Sequence, residues 1–365
     1  TGIYTVTGSV TINRSIQCNV INVLGTLTVN SAVRGGIINI TADENLTVFS
    51  GGTITANSLG FAGGAVQVSG SGPGGGVGGY LLIGAGGGHG GSGGNGIGGV
   101  STATGGSPYG SSLNPITMGS GGGGGHNGVG GASGGAVRLS AQRIVINGSI
   151  SANGASGESV GGGSFPGGGG SGGTINIFTN IFEGSGTLRA NGGNGGTGAG
   201  TAGGGSGGRI MVRFNTSTFP ITNTSVSKGT GAGSPEPGTL AFFDMDNDTL
   251  TIKDGWRWQA NELAVWNFTI INITSASARS NTTNLTIMPF QIFVTNSQLT
   301  SESSAFNISI LTNTSLDFIN SSISNTKFVN ITASNITLDN ASSISVTGRG
   351  FAGGGPFAGS GLGPG

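Results

Sequence analysis

Charge is the first thing this chain has little of. Only 7% of its 365 residues are charged, 13 basic and 13 acidic, for a formal net charge of zero. Ordinary globular chains carry about 25% charged residues. A neutral chain lacks the basic surface that displaces counterions from nucleic acid, so nucleic acid is not an expected partner. Cysteine is nearly absent too. Cys18 stands alone, which rules out an intrachain disulfide and leaves a small buried apolar side chain, or one half of an interchain bridge. No apolar run approaches the ~20 residues of a spanning helix, so no membrane span is expected in this segment. No window keeps helical apolar spacing over three turns. The sequence opens on Thr1 with neither a Met nor a signal peptide, which suggests a segment cut from something longer.

Clustered chemistry is missing as well. The carboxylates are scattered, and Asp43-Glu44 is the only adjacent pair. A glycosidase or lyase groove needs several acids and a base converging on one site. Asp244, Asp246 and Asp248 resemble the start of a calcium loop, but the sixth and twelfth positions, Thr249 and Gly255, are wrong for one. A polar strand or turn is favoured there. His89 and His126 sit in glycine runs with no Cys or carboxylate beside them and read as loop residues. Arg138, Arg143, Arg189, Arg209 and Arg213 lie near the strand motifs, where solvated or loop-bracing roles are favoured over a functional row. No enzyme activity, cofactor or metal is expected.

What the chain has in abundance is glycine, 81 residues of it. Each costs roughly 0.5–1 kcal/mol more than Ala to order in a strand or helix. Such a content makes sense only where close backbone approach or positive φ is needed. Between the glycines lie short alternating runs such as Val20-Ile21-Asn22-Val23 and Ile37-Ile38-Asn39-Ile40, the pattern of short strands between turns.

Two motifs recur. One is Ser/Thr-apolar-x-Ala-Asn, at Thr53 to Asn57, Ser149 to Asn153 and Thr187 to Asn191. The other is Ser-Gly-Gly-x-apolar-x-apolar, at Ser133 to Leu139, Ser171 to Ile177 and Ser206 to Val212. Each Ala-Asn strand leads into a Gly-rich excursion that ends on a Ser-Gly-Gly strand. Similar strands with excursions of unequal length read as loops on one face of a solenoid. Alternatively, the Gly runs bundle as polyproline-II-like helices, whose crowded axes suit glycine. A longer repeat aligns Asn45–Gly64 with Asn335–Gly354 without a gap, ending in Phe61-Ala62-Gly63-Gly64 and Phe351-Ala352-Gly353-Gly354. The chain thus restarts its pattern after 290 residues.

Asn-x-Ser/Thr sequons take up 17 of the 32 asparagines, where chance gives about seven. They are Asn13, Asn39, Asn45, Asn147, Asn215, Asn223, Asn247, Asn267, Asn272, Asn281, Asn284, Asn307, Asn313, Asn320, Asn330, Asn335 and Asn340. In eight of them the middle residue is large and apolar, as in Asn39-Ile40 and Asn45-Leu46. Alternate strand residues face opposite sides, so Asn and Ser/Thr face outward while the apolar residue enters the core. A glycan needs that outward position. Covalent N-glycans and an extracellular or cell-surface location follow as expectations.

The Ser-Gly-Gly and Ala-Asn strands, the Gly excursions and Pro237-Gly238-Thr239-Leu240-Ala241-Phe242 resemble glycine-rich parallel β-helix domains of large microbial surface proteins. The resemblance covers most of residues 45–258 and implies a scaffold, stalk or adhesin with no catalytic residues to carry over. The expected fold is all-β, a right-handed parallel β-helix (β-solenoid) with Gly-rich loop excursions. Its expected organisation is rungs over 1–57, a glycine-rich β-solenoid region with long Gly loops over 58–214, sequon-rich rungs over 215–350, and the start of the next repeat over 351–365. The expected role is a structural glycoprotein that stacks end to end with itself, head to tail or as tandem repeats, into a filament, fibre or sheath. The alternative is an adhesin or carbohydrate-binding stalk. Trp256 and Trp258 share a strand face and serve either as core or interface residues or as sugar-stacking rings. An ice-binding surface would need a regular flat Thr or Gly array, and the rungs read as too irregular for one.

Overall fold

A computed structural model describes residues 2–258, 265, 266, 268–280, 284–289, 291–301, 307–312, 314–324, 326 and 328–346. The restart of the 290-residue pattern at 351–365, and the sequons Asn267, Asn281 and Asn313, lie outside the described residues. The chain is nearly all-β, with long parallel sheets. It divides into two compact units, Thr1–Arg257 and Trp258–Gly365.

The first unit holds strands β1 (Ile3–Val6), β2 (Ser9–Ile12), β3 (Ile16–Val23), β4 (Thr26–Val29), β5 (Ile38–Val48), β6 (Thr53–Thr55), β7 (Ala136–Ile146), β8 (Ser149–Ser151), β9 (Thr174–Glu183), β10 (Thr187–Arg189), β11 (Arg209–Phe214), β12 (Thr216–Ser217), β13 (Thr224–Ser225), β14 (Thr239–Asp244) and β15 (Thr249–Trp258). Two parallel ladders run through it, β1-β3-β5-β7-β9-β11-β14 and β2-β4-β6-β8-β10-β13. Register puts like on like. Ile38, Val137, Ile175, Ile210 and Leu240 form one column, and Leu27, Ile54, Ile150 and Leu188 form another. All are buried between the ladders. Period-2 alternation explains this directly, because one face of every strand is apolar. Cys18 on β3 is half-buried against this core. The run of parallel pairing in the first ladder ends where β15 pairs antiparallel with β14, and Asp244–Asp248 form the hairpin turn between them. The Asp244 carboxylate accepts the backbone N–H groups of Asp246 and Asn247 there, so the acidic triplet builds a turn.

The glycine-rich stretches, expected as loops or alternatively as polyproline-II-like bundles, are extended segments hydrogen-bonded to one another. Residues 168–173 show the rule. The N–H groups of Gly168 and Ser171 donate to the carbonyls of Gly123 and Ser120. Those of Gly169 and Gly172 donate to Gly203 and Ser206, and those of Gly170 and Gly173 to Ala155 and Ala152. Each neighbour is met again after three residues, the repeat of a polyproline II helix. Segment 84–89 does the same: Gly84 and Gly87 donate to Pro166 and Gly169, Ala85 and Gly88 to Val77 and Gly74, Gly86 and His89 to Gly94 and Gly91. A Cβ on Gly168 would lie 2.0 Å from the Ala85 carbonyl oxygen, and one on Gly123 2.2 Å from that of Val77. Only ten described glycines have positive φ. Close approach, not left-handed backbone, is what most of them are for.

The second unit holds β16 (Val265–Trp266), β17 (Ile270–Ser280), β18 (Asn284–Ile287), β19 (Gln291–Thr295), β20 (Gln298–Ser301), β21 (Asn307–Leu311), β22 (Ser315–Ile319), β23 (Ser322–Ser324), β24 (Phe328–Thr332), β25 (Asn335–Leu338) and β26 (Ser343–Ile344). Three parallel ladders form here: β17-β19-β22-β25, the end of β17 with β20, β23 and β26, and β16-β18-β21-β24. Columns such as Ile273-Val294-Phe318-Leu338 and Ala278-Leu299-Ile323-Ile344 run through them. One corner repeats. Ser275, Asn296 and Asn320 all have positive φ, a conformation that Asn tolerates better than most residues. Beside it the backbone N–H groups of Ala276 and Ser297 donate to the buried hydroxyls of Ser297 and Ser321.

Gly168→Ala should destabilise the chain by about 1–3 kcal/mol or more through overpacking. Gly162→Ala, whose Cβ meets nothing within 4 Å, should stay within about 0.5 kcal/mol of the parent. Thermal unfolding of both variants checks this. Equal melting temperatures would overturn the close-approach account.

Candidate functional site

The densest polar cluster lies where glycine segments meet the strands. Arg209 opens β11 and is fully buried. Its Nη2 donates to the carbonyls of Tyr109 at 2.7 Å and His89 at 3.2 Å, and its Nη1 to Ser112 Oγ at 2.6 Å and Thr239 Oγ1 at 3.1 Å. His89 lies outside the strands, as its reading as a loop residue expected, and is also fully buried. Its Nδ1 lies 2.9 Å from Gly172 O, a pure acceptor, so Nδ1 carries the proton and Nε2 accepts from Thr117 Oγ1 at 3.0 Å. Burial first, and the Arg209 charge second, pull the His89 pKa from 6.5 down to about 3, against carbonyl contacts from Gly172 and Gly173 that raise it. Tyr109 donates to Met118 O at 2.5 Å and accepts from Ser120 Oγ at 2.8 Å. Burial pushes its phenol upward. A ring with both nitrogens bonded and no solvent contact has no lone pair to offer a substrate. This cluster can hold segments together, and chemistry on a ligand is closed to it.

The serines of the Ser-Gly-Gly motif belong to the same bracing. Ser133, Ser171 and Ser206 are all buried. Ser133 Oγ donates to Gly119 O, Ser171 Oγ accepts from Ser120 N–H, and Ser206 Oγ accepts from His89 N–H. A second brace joins Arg257 to Glu236 at 2.5 Å, and Glu236 also accepts from Ser92 N–H.

The other residues singled out in the sequence are dispersed. Arg213 bonds Leu113 O and Asn176 Oδ1, and burial, then Arg138, lowers it to about 10. Arg143 pairs with Glu183 on the surface. His126 stacks edge-on against Tyr80 and Phe165. Trp256 and Trp258 are each 2% exposed, so neither offers a ring face to a sugar. None of the sequon asparagines whose side chains are described is buried. Asn13, Asn39, Asn147, Asn247, Asn320, Asn330, Asn335 and Asn340 are exposed, and Asn45, Asn215, Asn223 and Asn272 are half-buried. The apolar middle residues Ile40, Leu46, Ile273, Leu285 and Ile308 are buried, whereas Phe268, Ile331 and Ile336 are not. Among the described residues no group of three His, Cys, Asp or Glu could hold a metal, and no helix is long and apolar enough to cross a membrane.

No family model, curated protein or solved structure matches the chain.

The His89 shift has a pH consequence. Between pH 6.5 and about 3 the unfolded chain takes up a proton that the folded chain refuses. Stability contributed by neutral His89 is complete above pH 6.5 and falls as pH drops through that window. His89→Gln, which keeps a donor and an acceptor, should make the decline of melting temperature between pH 6.5 and 3 shallower. A variant as steep as the parent would place the proton uptake elsewhere.

Proposed function

We propose that this chain is a non-enzymatic extracellular structural glycoprotein, a right-handed parallel β-helix whose units stack end to end into a glycan-coated filament, fibre or sheath. The observation that carries this reading is the state of β25 and β26, the last strands among the described residues. Leu316, Phe318 and Ile323 are buried, and the next residues in their columns are Ile336, Leu338 and Ile344. These three point apolar side chains the same way yet are 44%, 41% and 36% exposed. Fully covering one such side chain is worth roughly 1.5–3 kcal/mol. Among the described residues β1 pairs on one side only, with β3, and Ile3 on it is exposed. An unpaired parallel edge invites another strand. Joining one kind of edge to the other is a head-to-tail contact, which propagates as a filament when it does not close.

The sequons support the glycoprotein part. The asparagines whose side chains are described are exposed or half-buried, on strands and turns that a glycan could leave without disturbing the core. Glycans there would block lateral strand pairing while leaving the ends open.

Electron microscopy and sedimentation of the purified chain test the assembly. Rods that lengthen with concentration are expected, and Leu338→Lys should shift them toward single chains. A parent chain that sediments as a monomer at every concentration would sink the proposal. Glycopeptide mass spectrometry of native material tests the sequons. Modified peptides are expected at the exposed Asn13, Asn39, Asn147, Asn330, Asn335 and Asn340. Lower occupancy is expected at Asn223, whose Nδ2 donates to Ser185 O, and at Asn320, whose Nδ2 donates to Asn296 Oδ1. Unmodified asparagine at every site would overturn the glycoprotein reading.

A further inference from the structure

The outward faces of the two long ladders in the first unit differ in kind. On β5, β7 and β9 the outward residues include Asp43, Glu44, Arg138, Arg143 and Glu183. On the second ladder they are almost all hydroxyls. Ser9, Thr26, Thr53, Ser149 and Thr187 stand in register in one column. Thr11, Thr28, Thr55 and Ser151 stand in a second, which ends on Arg189 and Ser225. None of these hydroxyl residues is buried. Neighbours touch across the strands: Thr53 Oγ1 lies 3.2 Å from Ser149 Oγ, and Ser151 Oγ donates to Thr55 Oγ1 at 3.3 Å.

The array does not stop where the strands do. Asn57, Asn153 and Asn191 form a third column, in which each Oδ1 accepts the backbone N–H of the next member. Ser156 and Asn194, then Ser159 and Thr197, continue it onto the first glycine segments, with the N–H of each later residue donating to the earlier hydroxyl. The sequence reading of these rungs as too irregular for such an array is corrected here. The glycine excursions vary in length, but they leave and rejoin the ladder without disturbing its register.

This face is uncharged over both columns until Arg189 and carries no aromatic ring. Protein partners anchor on aromatic and Arg side chains. Nucleic acid needs positive charge. The face instead presents donor-acceptor hydroxyls about 4.8 Å apart across strands and about 6.6 Å apart along them. Oxygen atoms on faces of hexagonal ice also repeat in two perpendicular directions, at a slightly shorter distance than the strand spacing and a somewhat longer one than the spacing along a strand, and ice is neutral, as this face is. We infer that the outward face of β2, β4, β6, β8 and β10 binds the surface of ice. Its hydroxyls would replace water oxygens in the outermost layer, and the threonine methyls would hold the intervening waters in rank. Asn13 follows β2 at one end of this face, and Asn223 lies beside Thr187 at the other.

The test uses the whole chain and ice itself. The parent should depress the temperature at which a seeded ice crystal grows and should be incorporated into a slowly growing ice hemisphere. Thr55→Tyr, at the centre of the array, should lose both effects at an unchanged melting temperature. Thr47→Tyr, on the outward face of β5, should keep them. Where Thr55→Tyr proves less stable, Thr11→Tyr at the exposed end of the same column replaces it. A parent excluded from ice, or a Thr55→Tyr chain as active as the parent, overturns the inference. So does a parent that leaves ice alone but sediments with crystalline cellulose or chitin, which would assign the array to a polysaccharide.

Discussion

A hydrogen atom in place of a side chain is the constraint from which this molecule follows. Where Gly168 meets Ala85, or Gly173 meets Gly135, a Cβ would lie about 2 Å from a backbone oxygen. Removing it lets backbones approach until amide and carbonyl bond directly, and lets one segment do so toward three neighbours in turn. Buried backbone groups must be paired, and these segments satisfy that requirement without forming a sheet. The scarcity of charge follows. A lattice whose contacts are peptide groups has few places for a long ionised side chain. The two buried charged residues among those described, Arg209 and Arg257, meet carbonyls, hydroxyls and a carboxylate.

Strand and glycine segment have different periods, two residues against three, and the recurring motifs sit where one gives way to the other. Ala56, Ala152 and Ala190 are buried directly after β6, β8 and β10. Ser133, Ser171 and Ser206 stand at the return, each using its hydroxyl on the backbone of another segment. Register survives the transition. Asn153 and Asn191, Ser156 and Asn194, and Ser159 and Thr197 meet at the same spacing as the strands before them. Segment and strand thus belong to one continuous repeat.

This division explains what could be read from the sequence. Alternation in Thr26–Val29 or Ile38–Ile40 reports a half-buried strand by itself, because the signal is local. The Ser-Gly-Gly and Ala-Asn motifs marked both ends of each excursion for the same reason. His89 and Arg209 gave no such signal. They are 120 residues apart, and a lone His between glycines looks identical whether it is buried or solvated. The hydroxyl array was legible in part. The Ser/Thr-apolar-x-Ala-Asn motif lines up Thr53, Ser149 and Thr187, but only the folded register adds Ser9 and Thr26 to their column. Glycine content alone raises polyproline-II-like bundling as an alternative, but glycine runs carry no side-chain pattern that says which segments pair.

The same two periods account for where sequons are found. A sequon places its asparagine and its hydroxyl residue two positions apart. On a strand both then face outward, as Asn39 and Thr41 do on β5. In a segment that repeats every three residues, the position two after an outward residue turns inward. Asn191 and Asn194 are outward, and the residues two further on, Gly193 and Gly196, are buried. A serine or threonine at either position would drive a Cβ into a neighbouring backbone. No sequon occurs between Asn45 and Asn147 or between Asn147 and Asn215, the stretches that contain most of the glycine segments. The constraint that admits only glycine to the interior of the lattice therefore also excludes the sequence signal for attaching a sugar, and leaves that signal to the strands and turns.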